Sequence, residues 1–279
     1  MDEAGPRRFD RRRVVTAAIS FGATFPLVLG YSNVQARRAG TPRVIALGAG
    51  DDLSVLVTAG PARLLIATGT DTTAFGNAFA SALPFGLRRV DVVLLAGRGR
   101  SATVAAHAAR SVHGRAYAII DPGLPTVELA LPNNRLEILS ASRRYHLPGG
   151  VSVTVETTFD DQRSGWRAMI ARGQTRIAVL PDGRISDLLP PHDPVSALIV
   201  TGDHPADAIQ ATRTPAVVVN ADAVTEDALR EGLTAASRSD LLVTSVFAGQ
   251  AKAIAFVDGG IRLPDGTRSR TKGDASATD

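Results

Sequence analysis

The chain contains no cysteine. Disulfides and thiolate metal sites are therefore excluded, while the compartment stays open, because an exported protein can also do without the residue. A strong charge of either sign is missing too. The net charge is only +4 over 279 residues, and five arginines (Arg7, Arg8, Arg11, Arg12, Arg13) are concentrated near the amino terminus. The body that follows is nearly balanced and offers no electrostatic footprint for nucleic acid, although a local basic patch would be compatible with it. Neither the Walker nor the Rossmann glycine spacing is present, and no Gly-x-Ser-x-Gly nucleophile elbow surrounds Ser101. Finally, the loop after an apolar strand, Gly97 to Ala102, has no His, Asp, Glu or Cys.

What is present begins with a targeting pattern. Residues 7–13 (RRFDRRR) form a basic stretch, and Val14 to Tyr31 runs 18 residues without a charge. Val34-Gln35-Ala36 supplies the small or branched residues of a cleavage site. This is the pattern of a secretory signal peptide over 1–36, and its paired arginines resemble a twin-arginine signal. A membrane anchor through residues 14–31 is the alternative, since the run is at the short end of the roughly 17–25 residues a span requires. Pro26 and Gly30 argue against a buried helix there. The protein is expected to be exported.

The body alternates short apolar strands with helical stretches. Arg43–Leu47, Ser54–Thr58 and Leu64–Ala67 are divided by Gly/Asp/Pro turns and predict consecutive hairpins. Phe75, Phe79 and Leu83 recur every four residues and predict a helix over Thr72 to Leu83. Val90–Leu95 is continuously apolar, as in a central strand. Ala-rich Thr103–Val112 predicts a second helix, and Ala116–Ile120 a further strand. The order then restarts. Val151–Thr157 alternates as a half-buried strand. Trp166–Ala171 and Arg176–Leu180 predict a hairpin across Gly173-Gln174. Ser196–Thr201, Ala216–Asn220, Leu241–Thr244, Ala253–Val257 and Ile261–Leu263 read as strands, the last two as a hairpin over Asp258-Gly259-Gly260. Thr225–Ser237 predicts a helix, with Thr225 as cap and Glu226 and Asp227 in its first turn. The polar residues 264–279 predict a disordered tail. Two β-rich halves with helices and no linker predict one α/β domain over 43–263, a four-layer α/β/β/α sandwich.

This order of words resembles the metallo-β-lactamase fold, and in particular the extracytoplasmic domain of competence-type DNA-uptake channel proteins. Gly48-Ala49-Gly50-Asp51 is similar to that family's opening Gly-Gln-Gly-Asp turn. Leu65-Ile66-Ala67-Thr68-Gly69 is similar to its strand ending in Asp-Thr-Gly, with Ala67 in place of the Asp. Asp91 to Ala96 follows its next apolar strand. Leu198–Thr201 followed by Gly202-Asp203-His204-Pro205 corresponds to a strand and His-His-Gly-Ser. Thr244 to Gly249 and Ala253 to Gly260 correspond to its closing words. The resemblance implies metal ligands at Gly97, Gly99, Ser101 and Ala102, where this chain has no suitable donor. Di-metal hydrolysis needs His and carboxylate groups converging on two cations, so no cofactor is expected.

Two other sites are candidates. Asp182, Asp203 and His204 would form a residual metal site if their loops converge as the resemblance implies. His192 and Asp193 would not join them, because they sit at the other end of Ser196–Thr201, about 15 Å away at strand rise. His107 and His113 read as structural or surface residues. The glycine-rich Gly97-Arg98-Gly99-Arg100-Ser101 precedes a helix, so Arg98, Arg100 and Ser101 are candidates for binding an anion. The function expected is that of an exported, non-catalytic module for binding or structure. Its partner would be an envelope protein or, on family analogy, DNA. The alternative is a metal-dependent hydrolase or DNA-processing protein with a rebuilt site.

Overall fold

The computed structural model describes residues 41–83, 89–121, 124, 136–160, 163–181, 195–201, 214–220 and 241–270. Expectations for the targeting segment, for the helix Thr225–Ser237 and for Asp182, His192, Asp193, Asp203 and His204 lie outside them.

The first three strands, β1 (Arg43–Gly48), β2 (Leu53–Ala59) and β3 (Ala62–Ala67), form the expected antiparallel hairpins. Helix α1 (Thr72–Ala82) then carries the chain to β4 (Arg89–Leu95), parallel to β3. Asp71 caps α1, its Oδ1 accepting from the amides of Thr73 and Ala74. The helix stops where Leu83, which precedes Pro84, turns extended; a residue before proline is disfavoured in the helical region. Helix α2 (Ala102–Ser111) leads to β5 (His113–Ile119), again parallel. Two strands that escaped the sequence reading follow: β6 (Leu136–Ile138) and β7 (Arg143–Leu147). β6 is only three residues long, β7 is charge-rich, and both sit at sheet edges, so neither gives a readable apolar period.

The second half repeats the scheme. Strands β8 (Val151–Asp160), β9 (Arg163–Arg172) and β10 (Thr175–Leu180) form two hairpins. Then β11 (Ala197–Val200), β12 (Ala216–Asn220) and β13 (Leu242–Val246) run parallel to β10. The chain returns through β14 (Ala251–Val257), which pairs with β1, and β15 (Gly260–Arg262). The carboxyl-terminal segment corrects one expectation. Instead of disorder from residue 264, Arg268–Arg270 forms β16, antiparallel to β15. Its polar composition hides a strand that needs only a neighbour's free edge.

The result is a sandwich of a nine-stranded sheet (β16-β15-β14-β1-β2-β3-β4-β5-β6) and a seven-stranded sheet (β13 through β7 in reverse order). Strand alternation explains the layers. Val44, Val55, Ile66 and Leu94 face Val153, Ile170, Val179 and Ile199 between the sheets. Leu47, Leu56, Leu65 and Leu95 turn outward onto Phe75, Phe79, Val104 and Ala108 of the two helices. Phe75 and Phe79, four apart as the period requires, stack with ring centroids 5.6 Å apart. The outer face of the second sheet, with Leu198, Val200 and Val217, is buried as well. Because β14 to β16 join the first sheet beside β1, the two halves cannot separate, and the sandwich is one α/β domain.

This topology gives the molecule two unlike edges. The tight turns Gly60-Pro61, Gly173-Gln174 and Asp258-Gly259 gather at one. At the opposite rim end the parallel strands of the described residues, β3 to β6 and β10 to β13. In open α/β sheets the carboxyl ends of parallel strands are where side chains from separate loops can converge.

Candidate functional site at the carboxyl rim

The rim is built largely from backbone. At the end of β3, the Ser54 hydroxyl donates to the Thr68 carbonyl at 2.6 Å and accepts from its amide at 3.1 Å. Gly69 then takes φ +140°, and a Cβ there would lie 2.5 Å from Cβ of Ala49. Only glycine lets the two loops approach so closely. Its amide donates to the Ser101 carbonyl (2.9 Å), and its own carbonyl accepts from Val104 (3.0 Å). The loop after β3 is thereby fastened to the loop after β4.

That second loop runs from Ala96 to a short 3₁₀ turn, Gly99–Ser101. Gly97 has φ +118°, and a Cβ on it would stand 2.4 Å from the Ser101 carbonyl oxygen. No side chain fits at position 97 on this backbone. The amide of Ser101 donates to Arg98 O, and that of Ala102 to the carbonyls of Arg100 and Gly99. With Val104 bonded to Gly69, three amides around the start of α2 are already satisfied within the chain. The Arg98 Nε lies 3.0 Å from Oδ1 of Asp121, whose residue is 5% exposed. Of the anion candidates, Arg98 is thus committed to a carboxylate, Ser101 contributes its backbone to the loop lock, and Arg100 is exposed.

Among the described residues the second sheet meets this rim at three points. The Leu53 amide donates to the Thr201 carbonyl at 3.1 Å. Asn220 Nδ2, at the end of β12, donates to the Gly50 carbonyl at 2.6 Å. Gly48 is pressed against the turn after β13, where a Cβ would lie 2.0 Å from the Phe247 carbonyl oxygen. Phe247 itself is half exposed beside the rim. Thr201 also holds the neighbouring strand end, its amide and hydroxyl both donating to Leu180 O. The chain therefore leaves Pro181 and Thr201 side by side, next to the loop of Gly50, as it enters the segments that contain Asp182, Asp203 and His204.

Three rim residues escaped the sequence reading: Asp52, Asp121 and Asn220, all buried. Asp121 had a signal, being the first polar residue after the strand Ala116–Ile120. Asn220 ends its strand in the same way. Asp52 sits inside a Gly/Asp turn, where composition predicts exposure. Among the described residues no group of three or more His, Asp or Glu side chains is placed to hold a metal ion. His107 lies on α2 with its ring edge-on to Phe75, 6.4 Å between centroids, while His113 and His146 are exposed on β5 and β7.

No protein-family model matches the chain, and no curated protein is significantly similar to it. Solved structures do match in shape. The metallo-β-lactamase fold protein YhfI from Bacillus subtilis aligns with a TM-score of 0.52 at 12% identity, over 76% of this chain and 99% of that one. Rm3 metallo-β-lactamase aligns at 0.42 with 17% identity, over 69% and 87%. MEM-A1, a subclass B3 metallo-β-lactamase from a soil metagenome library, aligns at 0.41 with 13% identity, over 71% and 91%. At such identities the likeness to YhfI shows the fold and nothing finer.

Proposed function

We propose that this metallo-β-lactamase fold serves as an exported, non-catalytic module for binding or structure. The observation that carries the reading is the conformation of Gly97–Ala102. A chain that had lost ligands by substitution alone would keep a loop able to receive them. Here the loop is folded around Gly97, whose missing Cβ leaves the space that the Ser101 carbonyl occupies. A histidine at 97 would need a different backbone. Arg98 of the same loop is paired with Asp121, so hydrogen bonds and this ion pair hold the described part of the rim. Fold does not dictate activity, and this rim is organised for rigidity. By analogy with competence-type channel proteins, DNA crossing the envelope is the partner to test first, with an envelope protein as the other class.

A second reading is favoured by the pairing of Thr201 with Leu180. It starts the segments carrying Asp182, Asp203 and His204 from adjacent points of the rim, as a rebuilt hydrolytic metal site would require. Elemental analysis of purified protein separates the readings. The module should hold substoichiometric zinc and manganese; one equivalent of either, lost in Asp203→Ala, overturns it. A DNA titration at low salt tests the partner, since phosphate contacts must weaken as salt rises.

A further inference from the structure

A cleft lies at the opposite edge, among the tight turns. Three of them, each from a different hairpin, surround a cleft of about 520 Å³: Pro148–Gly150, Gly173-Gln174 and Asp258-Gly259. That volume falls among small-molecule sites, about 300–1,000 Å³. Its floor includes Phe256 and Thr175, both buried. Gly150 and Gly173 have φ of +73° and +58°, and a Cβ on either would meet nothing within 4 Å. Their Cβ positions face open space. The glycines are there for the turn geometry, and they leave the mouth wide.

Two opposite charges line this cleft, Arg172 and Asp258. They form no ion pair with each other. The Arg172 Nε donates to the Gly149 carbonyl at 3.3 Å, which steadies the side chain, and its terminal nitrogens take no partner among the described residues. The Asp258 carboxylate likewise takes none. A guanidinium and a carboxylate that line one cleft without pairing with each other complement a molecule carrying both charges.

We propose that this cleft binds a zwitterionic α-amino acid, with its carboxylate at Arg172 and its ammonium at Asp258. The site is independent of the rim and of the function assigned there.

The test is an NMR titration of the full chain with L-leucine, following the amides of the three turns. Saturable shifts confined to Gly150, Gly173, Gln174 and Gly259 are expected. N-acetyl-L-leucine and L-leucinamide each lack one charge and should bind about tenfold more weakly, the loss of one charge-assisted contact. Arg172→Gln should erase the preference for leucine over leucinamide. Asp258→Asn should erase the preference over the acetyl derivative. No saturable shift up to the solubility limit of leucine, or equal binding of all three compounds, overturns the proposal. The derivatives test the unmodified chain, so the result stands even if a variant fails to fold.

Discussion

Arg98 and Asp121 lie just past the ends of two adjacent parallel strands of the first sheet and meet across the rim, Nε to Oδ1 at 3.0 Å, with side chains 47% and 7% exposed. The pair is asymmetric: the guanidinium is half in water and the carboxylate is not.

That asymmetry sets its worth. Removing Arg98 leaves a desolvated carboxylate short of a donor. The half-exposed guanidinium is partly screened, so the cost should fall below that of a fully buried pair, about 1–2 kcal/mol. Arg98→Ala should therefore lower stability in urea unfolding followed by the lone tryptophan, Trp166. Arg98→Lys should recover part of the loss. Equal stability of all three proteins would show that the pair contributes nothing.

The glycines of the same loop should separate sharply. Gly97→Ala forces a Cβ into the Ser101 carbonyl and should cost about 2–4 kcal/mol, because strain and clash add. Gly99 has φ +53° and open space around its Cβ position. Gly99→Ala should cost only about 1 kcal/mol, the left-handed penalty alone. Thermal melts of both variants measure the difference.

Asn220 ties the second sheet to the first. Asn220→Ala removes the donor to the Gly50 carbonyl and should cost about 1–2 kcal/mol. Asn220→Asp should cost more, since a carboxylate would face a carbonyl oxygen. Amide exchange at Gly50 to Leu53 should accelerate in both, and unchanged exchange would mean the rim does not depend on this contact.

Tyr145 gives the fold an alkaline limit. Burial raises its pKa above 10.0, Arg143 lowers it and Glu137 raises it again. The unfolded phenol therefore ionises first. The contribution of Tyr145 is complete below the unfolded value of about 10 and is lost as pH climbs from there through the folded value. Stability measured from pH 8 to 11 should fall at the upper end, and Tyr145→Phe should flatten that fall.

The strands with a clean period, such as Val151–Thr157, and the helix marked by Phe75 and Phe79 are legible because each buries one face, and burial imposes a period on the residues themselves. Edge strands such as Arg143–Leu147 bury little and leave no period. Arg98 was legible as a charged residue in a glycine-rich loop, yet its partner was not, because Asp121 lies 23 positions away. Asn220 and Gly50 are 170 positions apart.

The layers were legible in the residues themselves: which positions of the cleanly periodic strands and of the helix with Phe75 and Phe79 face a core, and that Gly97 to Ala102 has no side chain suited to holding a metal. These follow from local alternation and chemistry. The return of β14 to β16 to β1, the shared rim at the carboxyl ends of both parallel sets, and the commitment of Arg98 to Asp121 emerge only once the chain is folded. Those outcomes depend on which strand ends converge, and sheet order is set by contacts between distant segments that local periodicity does not encode.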